Sequence, residues 1–144
     1  MPPLSRWFVR AGFLALALAL LIEILLARPA GLWPTLPDAA LQLGAIHLLT
    51  VGWLLQLITG VAFWMFPRHP TTPPRGDVRL GWWGLSLLNL GLLLRLLGEP
   101  WRVAGGGPSG PLAVAALLQL VAVGCIVRLL WPRIRGTAST GRAR

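Results

Sequence analysis

The run AALQLGAIHLLTVGWLLQLITGVAFWMF occupies positions 39–66 and contains a single ionisable side chain, His47. A bilayer's hydrocarbon core of about 30 Å is crossed by about 20 apolar residues rising 1.5 Å each. This run is longer than that minimum, which predicts a membrane-spanning helix that tilts or projects beyond the hydrocarbon.

Working outward, three more stretches meet the same length requirement: Phe8 to Ala27, Leu80 to Gly98, and Pro111 to Trp131. Between them lie chain breakers, from Arg28 through Pro37, from Pro67 to Gly76, and from Pro100 to Pro108. The predicted fold is an all-α, four-transmembrane-helix antiparallel bundle over residues 1–135, followed by a disordered polar tail over 136–144. Arg6 and Arg10 precede the first run in the manner of a signal peptide. The run is too long for a cleaved leader, however, and Ala27-Arg28-Pro29 is a poor cleavage site, so it is read as a retained helix.

Composition agrees with a lipid solvent: 56% of the chain is hydrophobic and 12% charged, against about 25% charged in soluble proteins. All thirteen basic residues are arginines, and they give a formal net charge of +9. They gather at the ends of apolar runs and leave no soluble domain on which a nucleic-acid footprint could sit. Arg6, Arg10, Arg68, Arg75, Arg79, Arg128, Arg133, Arg135, Arg142 and Arg144 fall on one side of a four-span protein, with Arg28, Arg95 and Arg102 on the other. The positive-inside rule then puts both termini in the cytoplasm of a cell whose inner, cytoplasmic membrane holds the protein. Most tryptophans lie near span ends, as an interfacial belt requires. Trp53 is deep, and ordinary packing is its plainest explanation. Cys125 is the lone cysteine, which excludes a disulfide within the chain.

An ionisable group inside the hydrocarbon costs about 2.5 kcal/mol or more, so each one invites a functional explanation. Glu23, His47 and Arg95 all fall in the outer third of the predicted bilayer, with Asn89 and Gln119 expected at the level of His47. Glu23 and Arg95 suit a structural ion pair; alternatively Arg95, with Arg28 and Arg102, receives carboxylates of a bound ligand. Asn89 and Gln119 read as interhelical hydrogen-bond partners, and His69 as a solvated loop residue. His47 needs a partner or a metal. Gly44, Leu48, Gly52, Gln56 and Gly60 form an i, i+4 row of mostly small residues beside it, along which either another helix or a flat macrocycle could lie.

The run His47-Leu48-Leu49-Thr50-Val51-Gly52-Trp53, continued through Gly60-Val61-Ala62-Phe63-Trp64-Met65-Phe66-Pro67-Arg68, resembles the second helix of subunit I in the haem-copper oxidase superfamily. The nitric oxide reductase and C-type oxidase branch is the nearest in pattern. The resemblance implies that His47 is an axial ligand of a low-spin haem b; Gly44 and Thr50 are then candidate contacts of the haem, and the carboxylates that Arg28, Arg95 and Arg102 could receive would be its propionates. It stops there, because no later span carries a histidine. A binuclear site for oxygen or nitric oxide reduction is excluded for this chain alone, and half of a low-spin site is left.

Met65 lies about 27 Å from His47 along the same helix, and Cys125 is off its level by some 9 Å. The expectation is a homodimer whose two His47 side chains bind one haem from opposite faces across a two-fold axis. Such a haem carries electrons between a quinol or another respiratory subunit and an acceptor. The alternatives are a five-coordinate haem that senses gases, and a non-redox accessory or assembly subunit of a respiratory complex. A small transporter is weaker, because no inverted repeat is visible.

Overall fold

The computed structural model describes residues 1–27, 38–67 and 75–135. Four helices are long and apolar enough to cross a membrane. They are α1 (Pro3–Leu26), α2 (Asp38–Met65), α3 (Val78–Val103) and α4 (Gly110–Arg135). No strand occurs among the described residues. The predicted tail at 136–144, Arg28 and His69 lie outside the described residues.

Helix ends differ from the sequence expectation where proline was read as a boundary. α1 begins at Pro3, whose missing N–H costs nothing in a first turn. α3 starts behind Asp77, whose carboxylate accepts the Arg79 amide at 3.0 Å as an N-cap. It then runs through Pro100 to Val103, so Pro100 sits inside the last turns and does not end the helix. The consequence is functional, since Glu99 becomes a helical residue of the bundle.

The bundle is apolar outside as well as inside. Leu14, Ile24, Leu97, Leu117 and Leu120 all point outward as exposed apolar side chains, which is stable only with lipid as solvent. Inside, Leu4, Phe8, Phe63, Leu88, Ile126 and Leu129 form one core near the arginine-rich end. Ala15, Ala19 and Leu48 form a smaller cluster nearer the other end. Leu4 of α1 and Leu129 of α4 share the first core, so the chain enters and leaves the bundle at the same end. Hydrophobicity cannot drive helices together in lipid, and close contact of small residues takes over. Along α3, Gly84 faces Ile126 and Gly91 faces Ala115 and Gln119 of α4.

α2 contains a feature the apolar pattern did not announce. Its middle, Leu48–Leu55, is π-helical, between α-helical Asp38–His47 and Gln56–Met65. The glycine row explains what this accomplishes. In a pure α-helix a residue four positions on overshoots a full turn by about 40°, so Gly44 and Gly60 would drift about 160° apart. A π-turn takes roughly 4.4 residues and drifts the opposite way. Averaged over the run the period approaches four, and Gly44, Leu48, Gly52, Gln56 and Gly60 are all buried. The row therefore stays on one inward face.

Candidate functional site

The glycine row is filled from within the protomer. A methyl group on Gly52 would stand 2.7 Å from Ala15 Cβ of α1, and one on Gly60 would stand 3.0 Å from Phe8 Cβ. Gly44 faces α3, where the same methyl would meet Leu96 Cδ2 at 3.0 Å. Of the two occupants the spacing allowed, a neighbouring helix and a flat macrocycle, α1 and α3 take the groove. Gly44 is thus a contact for Leu96, and any planar ligand of His47 has to approach from outside the bundle.

His47 is the last residue before the π-helical segment. The carbonyls around that change of pitch are held by side chains four residues on. His47 Nδ1 lies 2.8 Å from Leu43 O, Thr50 Oγ1 donates to Ile46 O at 2.7 Å, and Thr59 Oγ1 donates to Leu55 O at 2.8 Å. Thr50 is therefore tied to its own helix. A carbonyl oxygen can only accept, so the Leu43 contact places the imidazole proton on Nδ1. A neutral ring in this tautomer carries its lone pair on Nε2. The His47 side chain is 25% exposed, at the bundle's outer surface.

The partner of His47 is one the sequence reading missed. Glu99 of α3 is 6% exposed, and its Oε1 lies 3.6 Å from His47 Nδ1 and 3.3 Å from an Arg95 guanidinium nitrogen. Arg95 and Glu99 stand at i, i+4, the spacing at which helical side chains meet. The expected pairing of Arg95 with Glu23 is replaced by this one, since Glu23 is exposed on α1 while Glu99 lies in reach on the same helix. Two atoms of the triad, Glu99 Oε2 and Arg95 Nε, are buried without a hydrogen-bond partner. Arg102, seven residues beyond Arg95, is exposed on the last turn of the helix. The signal for Glu99 was present as Arg95-x-x-x-Glu99, but it could be used only if the helix continued past Pro100.

The polar layer expected at one depth is two separate levels. Asn89 does not sit beside His47; it exchanges hydrogen bonds with Gln56, nine residues further along α2, at 3.2 Å in both directions. Its amide also donates to Leu85 O at 2.8 Å. Gln119 packs over Gly91, with its Nε2 buried and unpartnered. Trp53 Nε1 is likewise buried without a partner.

Chemically, the chain offers one partly exposed imidazole whose Nδ1 proton goes to Leu43 O, with a buried carboxylate 3.6 Å from that nitrogen. A carboxylate or carbonyl on the far nitrogen is what orients a metal-bound histidine and raises its basicity. Among the described residues no three His, Cys, Asp or Glu side chains gather into one group. Comparison with family models, with curated proteins and with solved structures finds no match.

Proposed function

We propose that the protein is a haem b-binding electron carrier of the bacterial cytoplasmic membrane, with both termini in the cytoplasm and His47 as axial ligand. The observation that supports this reading is the state of the imidazole. Nδ1 is hydrogen-bonded to Leu43 O, with the Glu99 carboxylate 3.6 Å away, which leaves Nε2 without a partner on a side chain that is partly exposed. With α1 and α3 already lying in the glycine groove, the ring binds against the outside of the helix.

That placement favours a homodimer. A macrocycle on the outer surface of α2 would leave one face to lipid unless a second copy covers it. A two-fold axis through the iron brings His47 of a second copy to the opposite face. When bound, the haem supplies one-electron chemistry at a six-coordinate iron. The residues of this chain do the rest: His47 ligates, Leu43 O fixes its ring, Glu99 places a carboxylate 3.6 Å from Nδ1, and Arg95 pairs with that carboxylate. On this reading Arg102, exposed on the last turn of α3, and Arg28 are the residues that would meet the propionates. The electron donor on this reading is a quinol or a neighbouring respiratory subunit.

The test is the absorbance spectrum and pyridine haemochrome of detergent-purified protein, with the mass of the intact complex. The expected result is a low-spin bis-imidazole spectrum, half a haem per chain and a dimeric mass, with colour lost in His47→Ala. One five-coordinate haem per chain would shift the reading to gas sensing. Colourless protein from haem-replete cells would leave the accessory-subunit reading.

A further inference from the structure

We propose that a groove between α3 and α4 at the arginine-rich end is a binding site for one membrane phospholipid with a phosphoethanolamine headgroup. Arg128 receives the phosphate, Asp77 receives the ammonium, and an acyl chain lies over Gly124. This inference is independent of the haem reading.

The cavity has a volume of about 750 Å³ and opens beside the first turn of α3 and the last third of α4. Its α4 wall includes Gly124, Val127, Arg128 and Trp131, at the i, i+3, i+4, i+7 positions of one helix face, with Leu129 and Pro132 beside them. Leu80 closes the α3 side. Gly124 makes the stripe concave: a methyl group added there would meet nothing within 4 Å. A mostly apolar lining with Arg128 and Asp77 as its charged residues has the polarity of a lipid and not of a soluble metabolite.

The charges select the headgroup. Arg128 and Asp77 line the same cavity, both are exposed, and they are not paired with one another. Arg128 has no hydrogen bond or ion pair among the described residues, and Asp77 uses Oδ1 alone, on the Arg79 amide. A lone anion would satisfy Arg128 and be repelled by Asp77. A headgroup bearing both a phosphate and a primary ammonium meets the two together, and the ammonium donates hydrogen bonds that a quaternary choline lacks. Arg128 lies about 10.5 Å from the end of α4, and its side chain shortens that distance by extending toward the boundary.

The experiment is native mass spectrometry of the purified protein, with dioleoyl phosphatidylethanolamine, phosphatidylglycerol or phosphatidylcholine added at equal concentration. The expected result is one tightly retained phosphatidylethanolamine per chain, about tenfold above the other two. Asp77→Asn keeps a good helix cap and removes the preference over phosphatidylglycerol. Arg128→Gln lowers retention of all three about tenfold. Gly124→Leu fills the groove where no neighbour obstructs it, and it abolishes retention with the melting temperature unchanged. Equal retention of the three lipids by the wild-type protein, or full retention by Gly124→Leu, overturns the assignment.

Discussion

Arg133 holds Phe63 twice: its guanidinium donates to the Phe63 carbonyl at 3.0 Å and lies 5.2 Å over the Phe63 ring. The same group also donates to Pro67 O at 3.1 Å and to Phe66 O. These carbonyls are at the C-terminal end of α2, where helix geometry leaves acceptors unfilled and the macrodipole favours a cation. The last turns of α4 thereby cap α2 through a side chain that is 2% exposed. Arg133→Met keeps the length but removes every donor, and it is expected to destabilise the bundle by about 3 kcal/mol. Arg133→Lys recovers only part of this, since an ammonium lacks the planar fork. Thermal unfolding in detergent micelles measures both, and equal melting of wild type and Arg133→Met would remove the cap from the account.

The four-helix architecture was legible because span length depends only on counting apolar residues, and lipid imposes that count. What stayed hidden depended on distant partners or on pitch. Arg133 reads in sequence as one more interfacial arginine; its role follows from carbonyls more than sixty residues earlier in the chain. His47 stood out because an imidazole in an apolar run is conspicuous by itself. Glu99 did not, because Pro100 looked like a helix end. The π-helical segment was implicit in the four-residue spacing of the glycine row, a period that neither an α-helix nor a straight apolar count explains.

That spacing carries its own prediction. Gly52→Ala places a methyl against Ala15 Cβ and is expected to cost about 1–3 kcal/mol as overpacking of α1 on α2. Gly124→Ala, made on the same scaffold, meets nothing within 4 Å and is expected to be neutral. The contrast between the two melting temperatures is the measurement. Equal effects would mean that helix propensity, and not close approach, governs both positions.

The reciprocal amide pair of Gln56 and Asn89 should behave as a coupled unit. Either Gln56→Leu or Asn89→Leu leaves the other amide inside the bundle without its partner, at a cost of about 1–2 kcal/mol. Replacing both removes the orphan, so the double variant should lose less than the two singles added. Intramembrane pairs measured this way couple by about 0.6 kcal/mol on average. A double-mutant cycle on unfolding free energies reads the coupling directly, and strict additivity would show that the bonds contribute nothing to the bundle.

Glu99 provides the most specific handle on the proposed haem site. Its carboxylate lies 3.6 Å from Nδ1 of the ligating ring, so on that reading its negative charge stabilises oxidised over reduced iron. Glu99→Gln removes the charge while keeping the size, and the loss of that charge points toward a higher potential. A rise on the order of 60 mV corresponds to about 1.4 kcal/mol for a one-electron couple. The haem should be retained, because Leu43 O still fixes the ring at 2.8 Å. Glu99→Asp, with a shorter reach but the same charge, should move the potential less. Redox titration of the three proteins, followed at the absorbance bands of the haem, separates this from a structural role: a carboxylate that merely supports the fold would change yield and melting temperature in Glu99→Gln but leave the midpoint where it was.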